Sequence, residues 1–445
     1  MENMGTNSTK KINPLNSSRY GLGEEVERTK YGSVFTKTTE IYPWKSYIPL
    51  VFVEGDASEM GDQFGRATAD IIRKVVRFNI PKLVSIFEKA HINANDYIGL
   101  AEDSIAKYTD SSYLDEVASM ANASGVDYKD LMLTNLNIDI MYTLPSPESH
   151  YPLMPDDIAE ESPLHCSFFS AWGKATKDDT LVAAHNDDGG RYMDQFLALK
   201  VAKPKHGKAF VSPVVPGYIG YHSVVNSANT FSCSTGISDV MKNEEMAEDG
   251  VPSWFLFRWL GQYSDGTSDA VKRFLSVPNR TLINWCFTSK KEGTRIVEAT
   301  PKHHGFAKFP DASEHWIVSA GKTLASDLEP YLVTVKHPVT GDYRYLSIEK
   351  AVKEKYGKID FDEGVKIMSD HYDSLVKRES ASENTVCRHM EYAGTFGGTV
   401  RSLVAKFNNK TDAHEQYTDI GVSLGNPCNG MWRKLSFDKD MNILN

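Results

Sequence analysis

The chain has 445 residues, of which 41% are hydrophobic and 24% charged, a composition typical of a globular protein with enough apolar material for a large core. Its formal net charge of -10 and the lack of any run of Lys and Arg argue against nucleic acid or an anionic membrane surface as the partner. This charge favours a small or neutral ligand. No apolar window reaches the length of a membrane span, so we expect no integral membrane segment.

Residues 1–50 form a polar N-terminal extension that lacks the apolar stretch of a signal peptide. As it stands, the sequence therefore indicates a soluble, cytoplasmic protein. A secreted or lysosome-like location would require that a signal peptide had been removed.

Residues 51–165 are expected to form a mostly helical N-terminal part. Apolar residues recur at helical spacing from Glu59 to about Asn135. The stretch "TLPSPESHYPLMPDDIAEESPLH", which ends at His165, is rich in Pro, Ser and acidic residues and has almost no apolar periodicity. We therefore interpret it as an exposed, cleavable linker at the end of a prosegment.

In residues 166–445 the sequence pattern changes to short β-type runs, among them "CSFFSAW", "TLVAAHN", "FLALKVAK", "NTFSCST" and "LINWCFTS". Helices are predicted again in "VPSWFLFRWLGQYSDGTSDAVKRFLS" and near "IEKAVKEKYG". Groups of strands joined by hairpins and separated by groups of helices predict an α+β fold with antiparallel sheets.

The cysteines are few and widely spaced, with no CxxC pair: Cys166, Cys233, Cys286, Cys387 and Cys428. This spacing predicts free thiols, with neither a disulfide framework nor a metal site. No cofactor is indicated either.

Cys166 stands first in the first predicted strand after the linker. A lone cysteine is most often a small buried apolar residue, and the chain has no Cys-His protease signature. Cleavage of the His165–Cys166 bond would make Cys166 a chain terminus with a free α-amine. Such an amine has a pKa of about 7.7–8.0 and could accept the thiol proton, so the position favours an N-terminal nucleophile.

The segment "CSFFSAWGKATKDDTLVAAHNDD" resembles the start of the mature chain in autoproteolytic N-terminal-nucleophile hydrolases, especially the acyl-coenzyme A:isopenicillin N acyltransferase-like family. The matching positions are Cys166-Ser167, Trp172 to Thr176 and Asn186 to Asp188. Similar segments in the family's order extend the resemblance to nearly everything after about residue 50: "VEGDASEMGDQFG", "YLDEVASMANASGVDYKDLMLTN", "PGYIGYHSVVNSANTFSCSTG" and "GNPCNG".

The resemblance implies a four-layer αββα sandwich of the N-terminal-nucleophile type, with the helical N-terminal part packed on the same body. Cys166 would open a central strand at the mouth of a cleft between two sheets, and its thiolate would attack a carbonyl. Asp188 would hold the α-amine, and His185 or Asn186 would orient the nucleophile or the substrate.

The same resemblance suggests Thr235 and Asn284 as donors to the oxyanion. Trp172 could line an acyl pocket, and Arg258 could pair with a substrate carboxylate or bridge two layers. Because Asp188 lies at a predicted polar hairpin end, we expect Asp188→Asn to impair activity more than stability.

The implied activity is hydrolysis of a linear amide bond in a small N-acylated molecule, or transfer of its acyl group, by two cleaved chains that stay associated; a homo-oligomer is compatible with it. In "VAAHN", however, His185 stands where bile-salt-hydrolase-like relatives have Arg, and the segment is more similar to the phospholipase B-like hydrolases. A lipid ester is therefore an alternative substrate. The sequence also leaves open a catalytically inactive binding or scaffold protein and Cys-His hydrolysis by an unprocessed chain.

Overall fold

The computed structural model describes residues 48–143, 166–189, 196–247, 249–307, 313–333, 338–380, 382–389, 398–408, 417–428 and 431–444, and the backbone of four strands between residues 24 and 47. The predicted linker up to His165 and much of the N-terminal extension therefore lie outside the described residues. Within the described ranges, no helix is both long enough and apolar enough to cross a membrane.

The described residues of the N-terminal part are mostly helical. The α-helices of the described part are α1 (Ala57–Ala67), α2 (Ala69–Ala90), α3 (Ala94–Tyr108), α4 (Ser112–Ser124), α5 (Tyr128–Asn135), α6 (Asn137–Thr143), α7 (Ser253–Tyr263), α8 (Thr267–Leu275), α9 (Thr340–Glu354) and α10 (Phe361–Met368). Helices α7, α8 and α9 coincide with the two segments that the sequence predicts to return to helix.

The strands are distributed along the whole chain. They are β1 (Glu24–Thr29), β2 (Gly32–Thr36), β3 (Thr38–Ile41), β4 (Trp44–Tyr47), β5 (Leu50–Gly55), β6 (Ser167–Trp172), β7 (Leu181–Gly189), β8 (Ala198–Pro204), β9 (Phe210–Val214), β10 (Ser223–Asn226), β11 (Thr230–Gly236), β12 (Val240–Met241), β13 (Ile283–Ser289), β14 (Gly293–Ala299), β15 (His304–Phe306), β16 (Trp316–Ser319), β17 (Leu332–Val333), β18 (Tyr372–Asp373), β19 (Arg378–Glu379), β20 (Gly398–Phe407), β21 (Tyr417–Leu424) and β22 (Met431–Asp438). The structure is thus a mixed α and β protein.

Most of the strands belong to two sheets. The larger sheet has ten strands in the order β1-β2-β5-β8-β9-β10-β11-β13-β14-β15, and the smaller has six in the order β16-β6-β7-β20-β21-β22. The pairs β3-β4, β12-β17 and β18-β19 form two-stranded sheets. Strand β6, which follows Cys166 directly, is an interior strand of the six-stranded sheet.

One strand pair departs from the antiparallel pattern that the sequence predicts. β5 pairs in parallel with β8, and Leu50 lies opposite Leu199. Between these strands the chain passes through helices α1 to α6 and the β6-β7 hairpin, and a parallel return requires a long connection of this kind. The N-terminal part therefore contributes a strand, β5, to the larger sheet as well as helices.

Three apolar clusters pack against the two sheets. The first joins helices α1 to α8 to the larger sheet, the second takes side chains from both sheets, and the third joins α9 and α10 to the smaller sheet. Neighbouring residues of one strand alternate between clusters: Phe168 belongs to the second and Phe169 to the third. This alternation follows from the two-residue period of a strand and buries both faces of β6.

The motif "VEGDASEMGDQFG" forms the contact between α1 and α4. Asp56 and Glu59 make a reciprocal capping box, in which Glu59 N donates to Asp56 Oδ1 at 2.9 Å and Asp56 N donates to Glu59 Oε2 at 2.8 Å. A Cβ atom at Gly61 would lie 2.2 Å from the backbone oxygen of Glu116 in α4. The motif thus has a packing role, since only glycine allows the two helices to come this close.

Candidate active site

Cys166 lies at the start of β6 with its side chain completely buried. Because strand side chains alternate, Cys166 points to the same side as Phe168, which packs in the cluster shared by both sheets. Burial raises the pKa of Cys233 in β11 of the larger sheet well above its ordinary value, and the neighbouring Cys286 and Cys166 raise it further. The thiol therefore faces the larger sheet.

A carboxylate contacts this thiol, because Asp187 Oδ1 lies 3.6 Å from Cys166 Sγ. Burial raises the pKa of the Cys166 thiol well above its ordinary value, and the charges of Asp187 and Asp188 raise it further. A backbone hydrogen bond from Asp188 and the charge of Arg344 act in the opposite direction. The thiol is consequently neutral near pH 7.

Asp187 is bound by a buried arginine from the adjacent strand. Arg401 of β20 donates to Asp187 Oδ2, and its guanidinium lies 3.7 Å from the centre of the Tyr221 ring. His222 Nε2 is 3.9 Å from Asp187 Oδ1. Burial lowers the pKa of His222 well below its ordinary value, and Arg401 lowers it further, so the His222 ring is neutral and Arg401 is the cation of this group.

Asp188 points toward α9 and has a different set of partners. Arg344 Nη1 donates to Asp188 Oδ2 at 3.1 Å, and it also donates to Cys166 O at 3.2 Å and Ser167 Oγ at 2.9 Å. Thr399 Oγ1 donates to Asp188 Oδ1 at 2.8 Å, and Arg388 Nη1 lies 3.5 Å from Oδ2. Arg344 therefore connects Asp188 to the backbone of the candidate nucleophile.

His185 and Asn186 have partners away from the thiol. His185 Nε2 bonds to Ser234 O at 2.7 Å and its Nδ1 to Ser223 Oγ at 2.8 Å, so it spans the space between β7 and the larger sheet. Asn186 Nδ2 donates to Met368 O at 2.9 Å and to Val386 O at 3.0 Å. These contacts make Asn186 a tie between β7, the end of α10 and the segment around residue 386.

Thr235 and Asn284 do lie together, as opposite residues of β11 and β13. Both hydrogen bond to Ser319 of the smaller sheet: Thr235 Oγ1 lies 2.6 Å from Ser319 Oγ, and Asn284 Nδ2 donates to the same oxygen at 2.9 Å. Ser319 pairs with Phe168 in β6, two residues after Cys166. The two candidate donors are thus at the Cys166 end of the sheets, with Ser319 as their partner.

Arg258 binds a group other than those around Cys166, and Trp172 lies at the far end of β6. Arg258 Nε donates to Glu116 Oε2 at 2.9 Å, and Lys200 Nζ donates to Glu116 Oε1 at 2.8 Å, in a buried triad among the α-helices and the larger sheet. Burial acts to raise the pKa of Glu116, but the charges of Arg258 and Lys200 outweigh it. The pKa of Glu116 is therefore lower than its ordinary value. Trp172 lies six residues along β6, about 20 Å from Cys166 at the usual rise of a strand.

Sequence reasoning missed most of the charged groups around Cys166. Asp187 is adjacent to predicted site residues but is not itself among them, whereas Arg344, Arg388 and Arg401 come from α9, a loop and β20. No motif or spacing in the sequence connects these arginines to residue 166. The strand period, which puts Cys166 and Asp187 on one side of the hairpin, is the signal that could have identified Asp187.

The arrangement defines a buried thiol site with two carboxylates and three arginines. The two carboxylates face opposite sides of β7, one toward the thiol and one toward the backbone of Cys166. Such a site can position a cysteine and set its protonation state.

The chain matches no family model. Among curated proteins it is similar to an uncharacterized protein of Archaeoglobus fulgidus, with 19% identity over 349 residues. The matched region covers 72% of this chain and 57% of that relative, so the chain spans little more than half of the relative's length.

Solved structures with some similarity include an N-acylethanolamine-hydrolyzing acid amidase ortholog from Caenorhabditis elegans. Its TM-score is 0.38 at 12% identity, and the match covers 54% of this chain and 92% of that one. Two variants of conjugated bile acid hydrolase from Clostridium perfringens have TM-scores of 0.34 and 0.33 at 12% and 13% identity, each covering 62% of this chain and 98% of theirs. These structural similarities are low, and they do not assign the chain to a family.

Proposed function

We propose that this protein is the precursor of a cysteine N-terminal-nucleophile hydrolase that cleaves a linear amide bond of a small N-acylated substrate through a thioester on Cys166. The observation that supports the proposal best is the position of Cys166. It directly precedes an interior strand, and its thiol lies 3.6 Å from a buried carboxylate that an arginine binds. An ordinary structural cysteine requires no such charged surroundings.

In the proposed fold, the two sheets and the helices on their outer sides form a four-layer αββα sandwich. The apolar cluster that takes side chains from both sheets supports the two inner layers. The clusters that join α1 to α8 to one sheet and α9 and α10 to the other support the two outer layers. The reaction would take place at the end of the inner layers where β6 begins.

The first proposed step is cleavage of the chain before Cys166. The thiol attacks the carbonyl carbon of residue 165, the carbon–nitrogen bond to Cys166 breaks, and the proton passes to the released α-amine. Water then hydrolyses the thioester and leaves a carboxylate at residue 165. The raised pKa of the buried Cys166 thiol supports an uncut chain that is inactive toward external substrates.

The second reaction uses the new terminus. The α-amine takes the thiol proton, the thiolate attacks the acyl carbon of the substrate, and the proton is passed to the leaving amine before water releases the acid. Asp187 faces the thiol, while Arg344 fixes the backbone of Cys166 through its carbonyl oxygen. In this mechanism Asp188 acts by holding Arg344, and Thr235 and Asn284 are candidate donors to the oxyanion.

The two pieces would stay associated after cleavage. β5 of the first piece pairs with β8 of the second along six residue pairs, and helices α1 to α6 share an apolar cluster with the larger sheet. Removing the first piece would expose this cluster to water, which hydrophobic burial opposes.

Denaturing gel electrophoresis of the purified full chain tests the proposal. We expect two pieces, of 165 and 280 residues, and the larger should begin Cys-Ser-Phe-Phe. Cys166→Ala should give a folded, uncut chain, whereas Cys233→Ala, which removes another fully buried cysteine, should still be cut. Normal cutting of Cys166→Ala would show that Cys166 is not the nucleophile.

The substrate class requires a separate assay with the processed protein. N-acyl amino acids, penicillin-type side-chain amides and lysophospholipids should be offered side by side at equal concentrations. We expect release of the amine from one of the amides. Turnover of the lysophospholipid alone would favour a phospholipase B-like ester hydrolase, and turnover of none by an uncut chain would favour a binding or scaffold protein.

A further inference from the structure

Four side chains with metal-binding atoms meet at one place outside the thiol site. His371, Cys387, His389 and Cys428 each offer one nitrogen or sulfur atom, and these four atoms all lie within 4.8 Å of one another. The sequence spacing predicted no metal site, and the fold explains the difference. The ligand atoms come from three separate loops, so no CxxC-type spacing in the sequence indicates that they lie close together.

The distances between the four atoms suit a small tetrahedral ion. His389 Nε2 lies 3.0 Å from His371 Nε2, 3.1 Å from Cys428 Sγ and 3.7 Å from Cys387 Sγ. Tetrahedral zinc bonds of about 2.0–2.1 Å to nitrogen and about 2.3 Å to sulfur place neighbouring ligand atoms about 3.3–3.8 Å apart. The four groups need only small movements to bind such an ion.

Hydrogen bonding alone does not account for the arrangement around His389. An imidazole nitrogen has one in-plane position, which either donates or accepts a single hydrogen bond. Here three polar atoms of three residues surround His389 Nε2. A cation at the centre would satisfy all four groups at once, because each would then direct its lone pair to the metal.

We propose that His371, Cys387, His389 and Cys428 bind one zinc ion. Two thiolates and two imidazoles form a common ligand set of structural zinc, whereas magnesium and calcium prefer oxygen ligands. The four protein ligands complete the tetrahedron and leave no open position for water or substrate. The ion therefore acts as a structural link, and it takes no part in bond cleavage.

Hydrogen bonds join the loops that carry the four proposed zinc ligands. Cys387 N donates to Asp370 O at 3.0 Å, next to His371, and Thr385 Oγ1 donates to Cys387 O at 2.9 Å. Asn426, two residues before Cys428, donates to the backbone oxygen of Arg388. The segments that carry the ligands are thus already bonded to one another, which reduces the entropy that metal binding would cost.

The zinc site also has a connection to the candidate active site. Arg388 lies between the ligands Cys387 and His389, and its guanidinium reaches Asp188 Oδ2 at 3.5 Å. Loss of the ion should therefore loosen the loop that carries Arg388. The metal proposal itself stands on the four ligands and does not depend on the proposed enzyme activity.

The metal content of the untagged full chain tests the proposal. The chain is expressed with added zinc and dialysed against metal-free buffer before the measurement. Elemental analysis should find about one zinc ion per chain. Cys428→Ser and His371→Ala should each lose most of it, whereas Cys286→Ala, which changes a buried cysteine in β13, should retain it. Retention by a Cys387→Ser/Cys428→Ser double variant would place the metal elsewhere and overturn the assignment.

Two further measurements need no variant that could misfold. Exchange of zinc for cobalt in the wild-type chain should give the intense visible bands of tetrahedral, thiolate-bound cobalt. Thiol titration of the denatured chain without reductant should count all five cysteines as thiols. A folded chain that retains no zinc or cobalt, or a count of three thiols because Cys387 and Cys428 have formed a disulfide, would refute the zinc site.

Discussion

Cys166 Sγ lies 3.6 Å from Asp187 Oδ1, whereas Asp188, the next residue of β7, bonds to Arg344 on the opposite side of the strand. The two adjacent carboxylates therefore have different partners. Asp187 acts on the thiol directly, and Asp188 acts on the backbone of Cys166 through Arg344. This division leads to a separate prediction for each aspartate.

Asp187→Asn should lower the pKa of the Cys166 thiol, because the carboxylate charge of Asp187 disfavours the thiolate. A decrease of one pKa unit corresponds to about tenfold more thiolate near neutral pH. The rate of Cys166 alkylation by iodoacetamide, compared between wild-type and Asp187→Asn chains in the same state of cleavage and followed by peptide mass spectrometry, measures this change. Alkylation of the buried Cys233 in the same samples controls for general opening, and an equal increase at both cysteines would contradict the prediction.

Asp188→Asn should reduce stability, in contrast to the expectation for an exposed hairpin end. Asp188 and Arg344 are both buried, and removing one charge leaves the other without its counter-charge. The free energy of unfolding should fall by about 3–5 kcal/mol, measured by urea denaturation. Asp178→Asn is the matched control, because Asp178 is 60% exposed and its pair with Lys406 should contribute less than about 1 kcal/mol.

His185 should make stability depend on pH. Burial lowers the pKa of His185 to about 3, while a histidine of the unfolded chain titrates near its ordinary value of about 6.5. Between these values the unfolded state binds more protons, so stability should rise as the pH rises through this window and fall as the pH falls. Unfolding free energies at several pH values should show a smaller slope for His185→Gln than for the wild type. The exposed His304→Gln should keep the wild-type slope.

Gly61→Ala should destabilise the protein, because the new Cβ would lie 2.2 Å from the backbone oxygen of Glu116. Overpacking of this kind costs about 1–3 kcal/mol, and here the neighbour is backbone rather than a movable side chain. Gly99→Ala is the control in α3, where a Cβ meets nothing within 4 Å. It should stabilise by about 0.5–1 kcal/mol, since alanine favours a helix over glycine. Urea denaturation of both variants measures the difference, and equal effects would show that the α1–α4 contact adapts freely.

The fold was predictable where local patterns are strong. Strands β6 to β11, β13 and β14 lie between clear turn signals, and α1 to α5 show helical spacing of apolar residues. Strands β20 to β22 lack an equally clear pattern. β20 is almost entirely buried yet includes Thr399, Arg401 and Ser402, so buried polar groups interrupt its apolar sequence.

The central residue of the site, Cys166, was predictable from the sequence, but the charged groups around it were not. Cys166 could be selected because a linker-like stretch precedes a strand, which is a local signal. The partners of Asp187 and Asp188 depend on which segments the tertiary fold brings next to β7. Arg344 and Arg401 are more than 150 residues away in the chain, and their charges alone do not distinguish them from surface arginines.

The pairing of Leu50 with Leu199 also determines when the sheet can be completed during synthesis. β5 leaves the ribosome before β8, and about 150 further residues must be made before this partner strand is available. Contacts so distant in sequence form slowly, because a large loop must close first. A break before Cys166 in that interval would turn loop closure into a bimolecular encounter between two polypeptides. If the chain is cut as proposed, cutting after β5 has docked on β8 keeps the two strands in one polypeptide while they pair.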